Sequence, residues 1–206
     1  MKEKKSFSLN FETVGSIVAM LIGVCALFVA WDQAQVMRAQ KHASVWPIVT
    51  ADLTVSGDEK TRFIEFDVSN AGVGPALVRS ATLIADGKEI SHWSELETTL
   101  FSTEAPGAMA FNGFDIEGSV IAPGEDVVAM RGSWSAGGEI DEFFKTLAGK
   151  YLSGAAPDVQ LKICYCSVFE RCWETTENNG AERVKLCPAP THFFRNLFPK
   201  EDASVQ

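Results

Sequence analysis

The amino-acid sequence predicts a mainly β fold, a two-sheet sandwich of immunoglobulin-like type with short helical insertions, set behind one N-terminal transmembrane helix. Three observations carry this reading. Residues 13–31 are 19 consecutive residues without a charge; the apolar spacing changes abruptly at Pro47 from helical to alternating; and the remaining apolar runs are short, separated by Gly- and Pro-containing turns, with no strand–helix–strand alternation.

The chain-wide averages conceal this division. Over 206 residues the mean hydropathy is +0.04 and the formal charge is −9. Residues 1–42 carry five Lys and Arg against three Asp and Glu, a balance of +2, whereas residue 43 onward carries 13 against 24, a balance of −11. An acidic domain lacks the basic footprint that a nucleic-acid partner requires.

At about 1.5 Å per residue, residues 13–31 make roughly 28 Å of helix, close to the hydrocarbon thickness of a bilayer. This core is longer than that of a cleaved signal peptide, and Phe28-Val29-Ala30 places a bulky residue where a cleavage site needs a small one, so the segment reads as an uncleaved anchor. Lys2, Lys4 and Lys5 on one flank and Asp32 on the other predict a cytoplasmic N-terminus and a C-terminal domain outside. Gly15, Ala19 and Gly23 recur every fourth residue, forming the small-residue stripe along which membrane helices approach each other. The expected partners are therefore the lipid bilayer and another membrane protein, or a second copy, reached through this helix. From Asp32 the chain holds good helix formers and neither Gly nor Pro, which predicts a stalk to about residue 42 that ends before Trp46-Pro47. The domain boundaries are thus a cytoplasmic segment at 1–12, the transmembrane helix at 13–31, the stalk at 32–45, the extracytoplasmic domain at 46–190 and a tail at 191–206.

Residues 48–55 and 63–69 alternate apolar and polar side chains around a turn at Ser56-Gly57-Asp58-Glu59-Lys60, predicting a hairpin. Further strands are expected at 76–85, 118–121, 125–134 and 158–169, with turns at Asp86-Gly87 and Ala122-Pro123-Gly124-Glu125. Helical spacing predicts insertions over 92–101, with Ser91 as N-cap, and over 138–147. Asn70, Gly72, Gly74 and Pro75 form a structural turn in which the glycines supply positive φ, Pro75 fixes one torsion and Asn70 bonds nearby backbone.

The run Asn70-Ala71-Gly72-Val73-Gly74-Pro75-Ala76 after an alternating strand, with Ala122-Pro123-Gly124-Glu125 before another and a late strand Ile163-Cys164-Tyr165-Cys166-Ser167-Val168-Phe169, resembles uncharacterised bacterial single-pass membrane proteins with an immunoglobulin-like domain. In those proteins the late strand often reads Tyr-x-Asp-Val-Phe-Gly. Here Ser167 replaces the Asp and Glu170 the Gly. The resemblance implies a place in the bacterial inner membrane with the domain in the periplasm; a sandwich carries no implied chemistry, so the function is expected to lie in binding.

Of five cysteines, Cys25 lies in the apolar helix, while Cys164, Cys166, Cys172 and Cys187 cluster near the C-terminus. An even cluster in an exported domain reads as two disulfides with three connectivities open; Cys164 and Cys166 share a strand face, so each should tie to Cys172 or Cys187. Two competing readings are a four-cysteine zinc site, which the Cys-x-Cys-x5-Cys-x14-Cys spacing does not favour, and a thiol–disulfide enzyme, for which no Cys-x-x-Cys is present. His42, His92 and His192 fall in no metal or triad spacing, and Glu139, Asp141 and Glu142 read as a solvated helix start. No cofactor and no catalysis are expected. The aromatic stretch at 191–199 is expected to pack back on the domain, pinned by Cys187, with disorder after Pro199.

Overall fold

The computed structural model describes residues 11–101, 107–177 and 180–191. The positive flank at 2–5, His192, the rest of the aromatic tail and the segment after Pro199 lie outside them. The chain divides into two compact units, one ending at Ser44 and the other beginning at Val45.

The first unit is helix α1, Phe11–Ala43, 33 residues with none buried. It is long and apolar enough to cross a membrane. Its length is roughly 50 Å, well beyond a hydrocarbon core, so the polar stretch after Trp31 continues the same helix as the stalk reading anticipates.

The second unit is mostly strand, in two antiparallel sheets. Strands β1 (Val49–Gly57), β2 (Thr61–Asn70), β5 (Met109–Gly113) and β7 (Asp126–Ser135) form one sheet in the order β1-β2-β7-β5. Strands β3 (Ala76–Ala85), β4 (Lys88–Glu89), β8 (Val159–Cys166), β9 (Cys172–Thr175) and β10 (Glu182–Val184) form the other in the order β10-β9-β8-β3-β4, with β6 (Val120–Ile121) also paired to β3. One buried apolar cluster draws Val49, Phe66, Val68 and Met130 from the first sheet and Val78, Leu83, Ile163 and Tyr165 from the second. Helices α2 (Trp93–Phe101) and α3 (Gly138–Ser153) add Trp93, Leu96, Ile140, Phe144 and Leu147 to it, with Trp134 between Trp93 and Phe144.

The local chemistry explains most boundaries. Asp58 Oδ1 accepts the N–H groups of Lys60 and Thr61 at 2.8 Å each and so closes the first hairpin. Asp86 and Gly87 both take positive φ, 48° and 77°, as a two-residue hairpin turn requires. Pro123 followed by Gly124 at φ 75°, with Glu125 N–H donating to Ala122 O, makes the second predicted turn. Helix α3 runs six residues beyond its predicted end and stops at Gly154, whose left-handed φ of 70° lets its N–H reach the last carbonyls. At α2 the expected cap is reversed, since the Glu95 carboxylate accepts the Ser91 N–H at 3.0 Å.

Two expectations are corrected. The late strand predicted over 158–169 ends at Cys166, because the chain turns through Ser167–Arg171 and returns as β9. The Asn70–Pro75 segment is not built on positive φ, since neither Gly72 nor Gly74 takes it. Those glycines are required by close approach: a Cβ on Gly72 would stand 2.6 Å from Pro47 Cα, and one on Gly74 would stand 2.5 Å from Val45 Cα. Residues 45–48 are thereby clamped, with Ala71 N–H donating to Ile48 O and Val73 N–H to Trp46 O.

Asn70 holds this region together. It is 1% exposed, and its amide makes four hydrogen bonds, accepting from Ile48 N–H at 3.2 Å and Gly72 N–H at 3.0 Å while donating to Gly74 O at 2.9 Å and Ile121 O at 3.0 Å. Its backbone donates to Glu125 O and accepts from Gly124 N–H. Two of the segments that it touches, 71–75 and 122–125, carry the chain from one sheet to the other. Asn70→Asp keeps the acceptor but turns a second oxygen toward two carbonyls inside the core. Urea unfolding followed by tryptophan fluorescence is expected to show a loss of about 3 kcal/mol or more, and a loss below about 1 kcal/mol would contradict this role.

Candidate functional site

The four clustered cysteines come together at one end of the β8–β9 hairpin. Cys166 and Cys172 are directly paired across the two strands and bonded to each other, and Cys164 is bonded to Cys187. This is one of the three connectivities open in the sequence, and it ties each strand cysteine to a downstream one as strand geometry requires. By the chain-entropy account, the short Cys166–Cys172 loop contributes roughly 2 kcal/mol and the longer Cys164–Cys187 loop roughly 3.5 kcal/mol.

The two bridges are in contact. Cys166 Sγ and Cys187 Sγ, which belong to different bridges, lie 3.8 Å apart, and the Sγ atoms of Cys166, Cys172 and Cys187 all fall within 4.8 Å of one another. Bonded in pairs, these sulfurs offer no thiolate to an ion.

The surroundings are cationic in an otherwise acidic domain. A cleft of about 460 Å³ is lined by Arg79, Glu170, Lys185 and three of the four bridge cysteines, Cys166, Cys172 and Cys187. A second cleft of about 440 Å³ shares Glu170, Cys172 and Lys185 and adds Arg171 and Arg183. Among the described residues, the linings of the two clefts hold four cations, Arg79, Arg171, Arg183 and Lys185, against one carboxylate, Glu170. Arg79 reaches this position through a bulge: β3 pairs Val78 with Tyr165 and Ser80 with Cys164, which leaves Arg79 as the extra residue. Sequence reasoning finds the cysteines by their count but misses this ring, because its members come from three separate segments.

Beside the bridges, Trp46, Trp173 and Tyr165 form a continuous stack with centroids 6.3 and 6.0 Å apart. The fully buried Tyr165 accepts the Val49 N–H at 3.2 Å, and burial raises its phenol pKa. Beyond Cys187, Thr191 Oγ1 donates to Ala81 O at 2.8 Å while its N–H donates to Glu117 Oε1 at 2.9 Å, so the described start of the tail is held on β3.

The other sequence candidates disperse. Gly15, Ala19 and Gly23 lie exposed on α1, and a Cβ on Gly15 or Gly23 would meet nothing within 4 Å. Cys25 is an exposed free cysteine of that helix. Asp141 is engaged by Arg62 at 3.0 Å, and Glu142 by Lys145 at 3.0 Å, so this helix start is a solvated face with ion pairs. Glu65, read from alternation as an outward residue, is instead buried and ion-paired with Arg131, which also lies over the Phe63 ring at 4.5 Å.

Two features of this region are testable. Glu170 takes φ 57°, a conformation costing a residue with a Cβ roughly 1–2 kcal/mol, so Glu170→Gly is expected to raise the unfolding midpoint by about 1 kcal/mol equivalent in urea titration. Glu177 has its pKa raised by burial and by the charges of Asp52 and Asp158. A raised carboxyl favours folding below its unfolded pKa and opposes it once ionised. Glu177→Gln is therefore expected to stabilise the protein at pH 7, with the gain fading as pH falls through the carboxyl range and absent below about pH 4, as read in thermal melts across pH.

No protein family, curated protein or solved structure matches the chain significantly.

Proposed function

We propose that this chain is a membrane-anchored extracytoplasmic binding or scaffold protein, an accessory or structural subunit of a membrane protein assembly. The observation that carries the reading is α1. It buries no residue within its own unit, and Met20, Leu21, Ile22, Leu27 and Phe28 are each at least 60% exposed. Side chains of this size gain roughly 1.5–3 kcal/mol each on leaving water, which a bilayer supplies. The lysines before the helix and Asp32 after it favour an N-terminus in the cytoplasm of a bacterial cell, and the two disulfides suit an oxidising compartment beyond the inner membrane.

In this reading the outer unit is an immunoglobulin-like sandwich, a fold with no built-in chemistry that presents surfaces. Recruitment occurs through the Gly15, Ala19 and Gly23 stripe, where the open space beside both glycines admits a second helix, from another membrane protein or from a second copy.

The test uses the full chain in its membrane. Carbonate washing is expected to leave it in the pellet, and protease added to spheroplasts is expected to digest the C-terminal unit while sparing an N-terminal tag. Cross-linking is expected to yield a discrete adduct that Gly15→Leu with Gly23→Leu reduces severalfold. A chain that stays monomeric at every concentration in mild detergent and cross-links to nothing would defeat the assembly reading.

A further inference from the structure

The Sγ atoms of Cys166 and Cys187, one from each bridge, are 3.8 Å apart, which is contact distance for two sulfurs and within reach of a thiolate attacking a disulfide. Cys172, 5% exposed, lines both clefts, and Arg79, Arg171, Arg183 and Lys185 line one or both of them, the electropositive setting in which thiolates are stabilised. Cys164 lines neither cleft.

We propose that the Cys166–Cys172 and Cys164–Cys187 bridges form one thiol–disulfide exchange site whose substrate is a dithiol. A thiolate of the dithiol enters the cleft and attacks Cys172 Sγ, forming a mixed disulfide and breaking the bond to Cys166, which leaves as a thiolate. That thiolate attacks Cys187 Sγ, the Cys166–Cys187 bond forms, and Cys164 is expelled as a thiolate that takes up a proton. The second thiol of the dithiol then attacks its own sulfur in the mixed disulfide and releases Cys172, which is protonated in turn. The dithiol has given two electrons and two protons and leaves as a disulfide. The protein has exchanged two bridges for one, Cys166–Cys187, with thiols at Cys164 and Cys172. The cross-strand bridge is the entry point because both its residues line the cleft, against one residue of the other bridge. The second step is intramolecular, between groups already in contact, so it outpaces a second bimolecular reduction.

The test is peptide mapping of the full-length protein in detergent after treatment with less than one equivalent of dithiothreitol, acid quenching and trapping with N-ethylmaleimide. The expected two-thiol species joins Cys166 to Cys187 and carries label on Cys164 and Cys172. Recovery of only Cys166 and Cys172 labelled with Cys164–Cys187 intact, or of only Cys164 and Cys187 labelled, overturns the proposal. The same holds if the Cys166–Cys187 species arises only in samples whose circular dichroism has lost the β signal. In Cys172→Ser, where Cys166 has no partner, label is expected on Cys164 in some molecules and on Cys166 in others, and label confined to Cys166 overturns it. Should that variant not fold, the wild-type map decides alone.

Discussion

A single buried amide sets the terms on which the two sheets are joined. Asn70 ends β2 in one sheet, and the chain must then cross to β3 in the other; Ile121 ends β6 in the second sheet, and the chain must return to β7 in the first. Crossings of this kind expose backbone groups that no ladder can satisfy, and leaving them unpaired inside a core costs more than any one contact returns. The Asn70 side chain answers with both its lone-pair positions and both its N–H groups, joining the start of β1, its own loop and the end of β6. No other side chain of that size carries two donors and two acceptors in one plane. The glycines at 72 and 74 follow from it, because the segment entering the fold must lie directly against this loop.

The same end of the second sheet carries a second tie. Tyr165 reaches from β8 to the first residue of β1, and Trp173 and Trp46 continue its ring stack. One residue along from Tyr165 on either side, Cys164 and Cys166 face the other way and bond to segments that form no long strand of their own. Strand alternation thus sorts β8 into a tyrosine that joins the sheets and cysteines that hold the short β9–β10 region and the approach to the tail. The same parity brings two bridges into contact, since residues two apart on a strand face project side by side.

Several of these features are legible in the amino-acid sequence. The strand at Ala76–Ala85, the hairpin around Asp58, both Gly-containing turns and the apolar helix follow from local patterns, in which neighbouring residues carry the whole signal. Strands β5, β9 and β10 are not legible there, being short and lying at or beside sheet edges, where burial imposes no clean alternation. Glu65 reads as outward-facing until Arg131 is found opposite it on β7, and the turn at Ser167–Arg171 is hidden by apolar residues that continue the strand pattern.

By itself the sequence determined the division of the chain near residue 43, the helix that precedes it, the alternation of the strands and the even cysteine cluster, because each depends on residues close together along the chain. Only the tertiary structure decided which cysteine joins which, that the two bridges touch, that Arg79 enters their cleft through a bulge, and why two glycines flank Val73. Those depend on which segments meet across the fold, and a meeting of distant segments is a property of the packed core that no local spacing records.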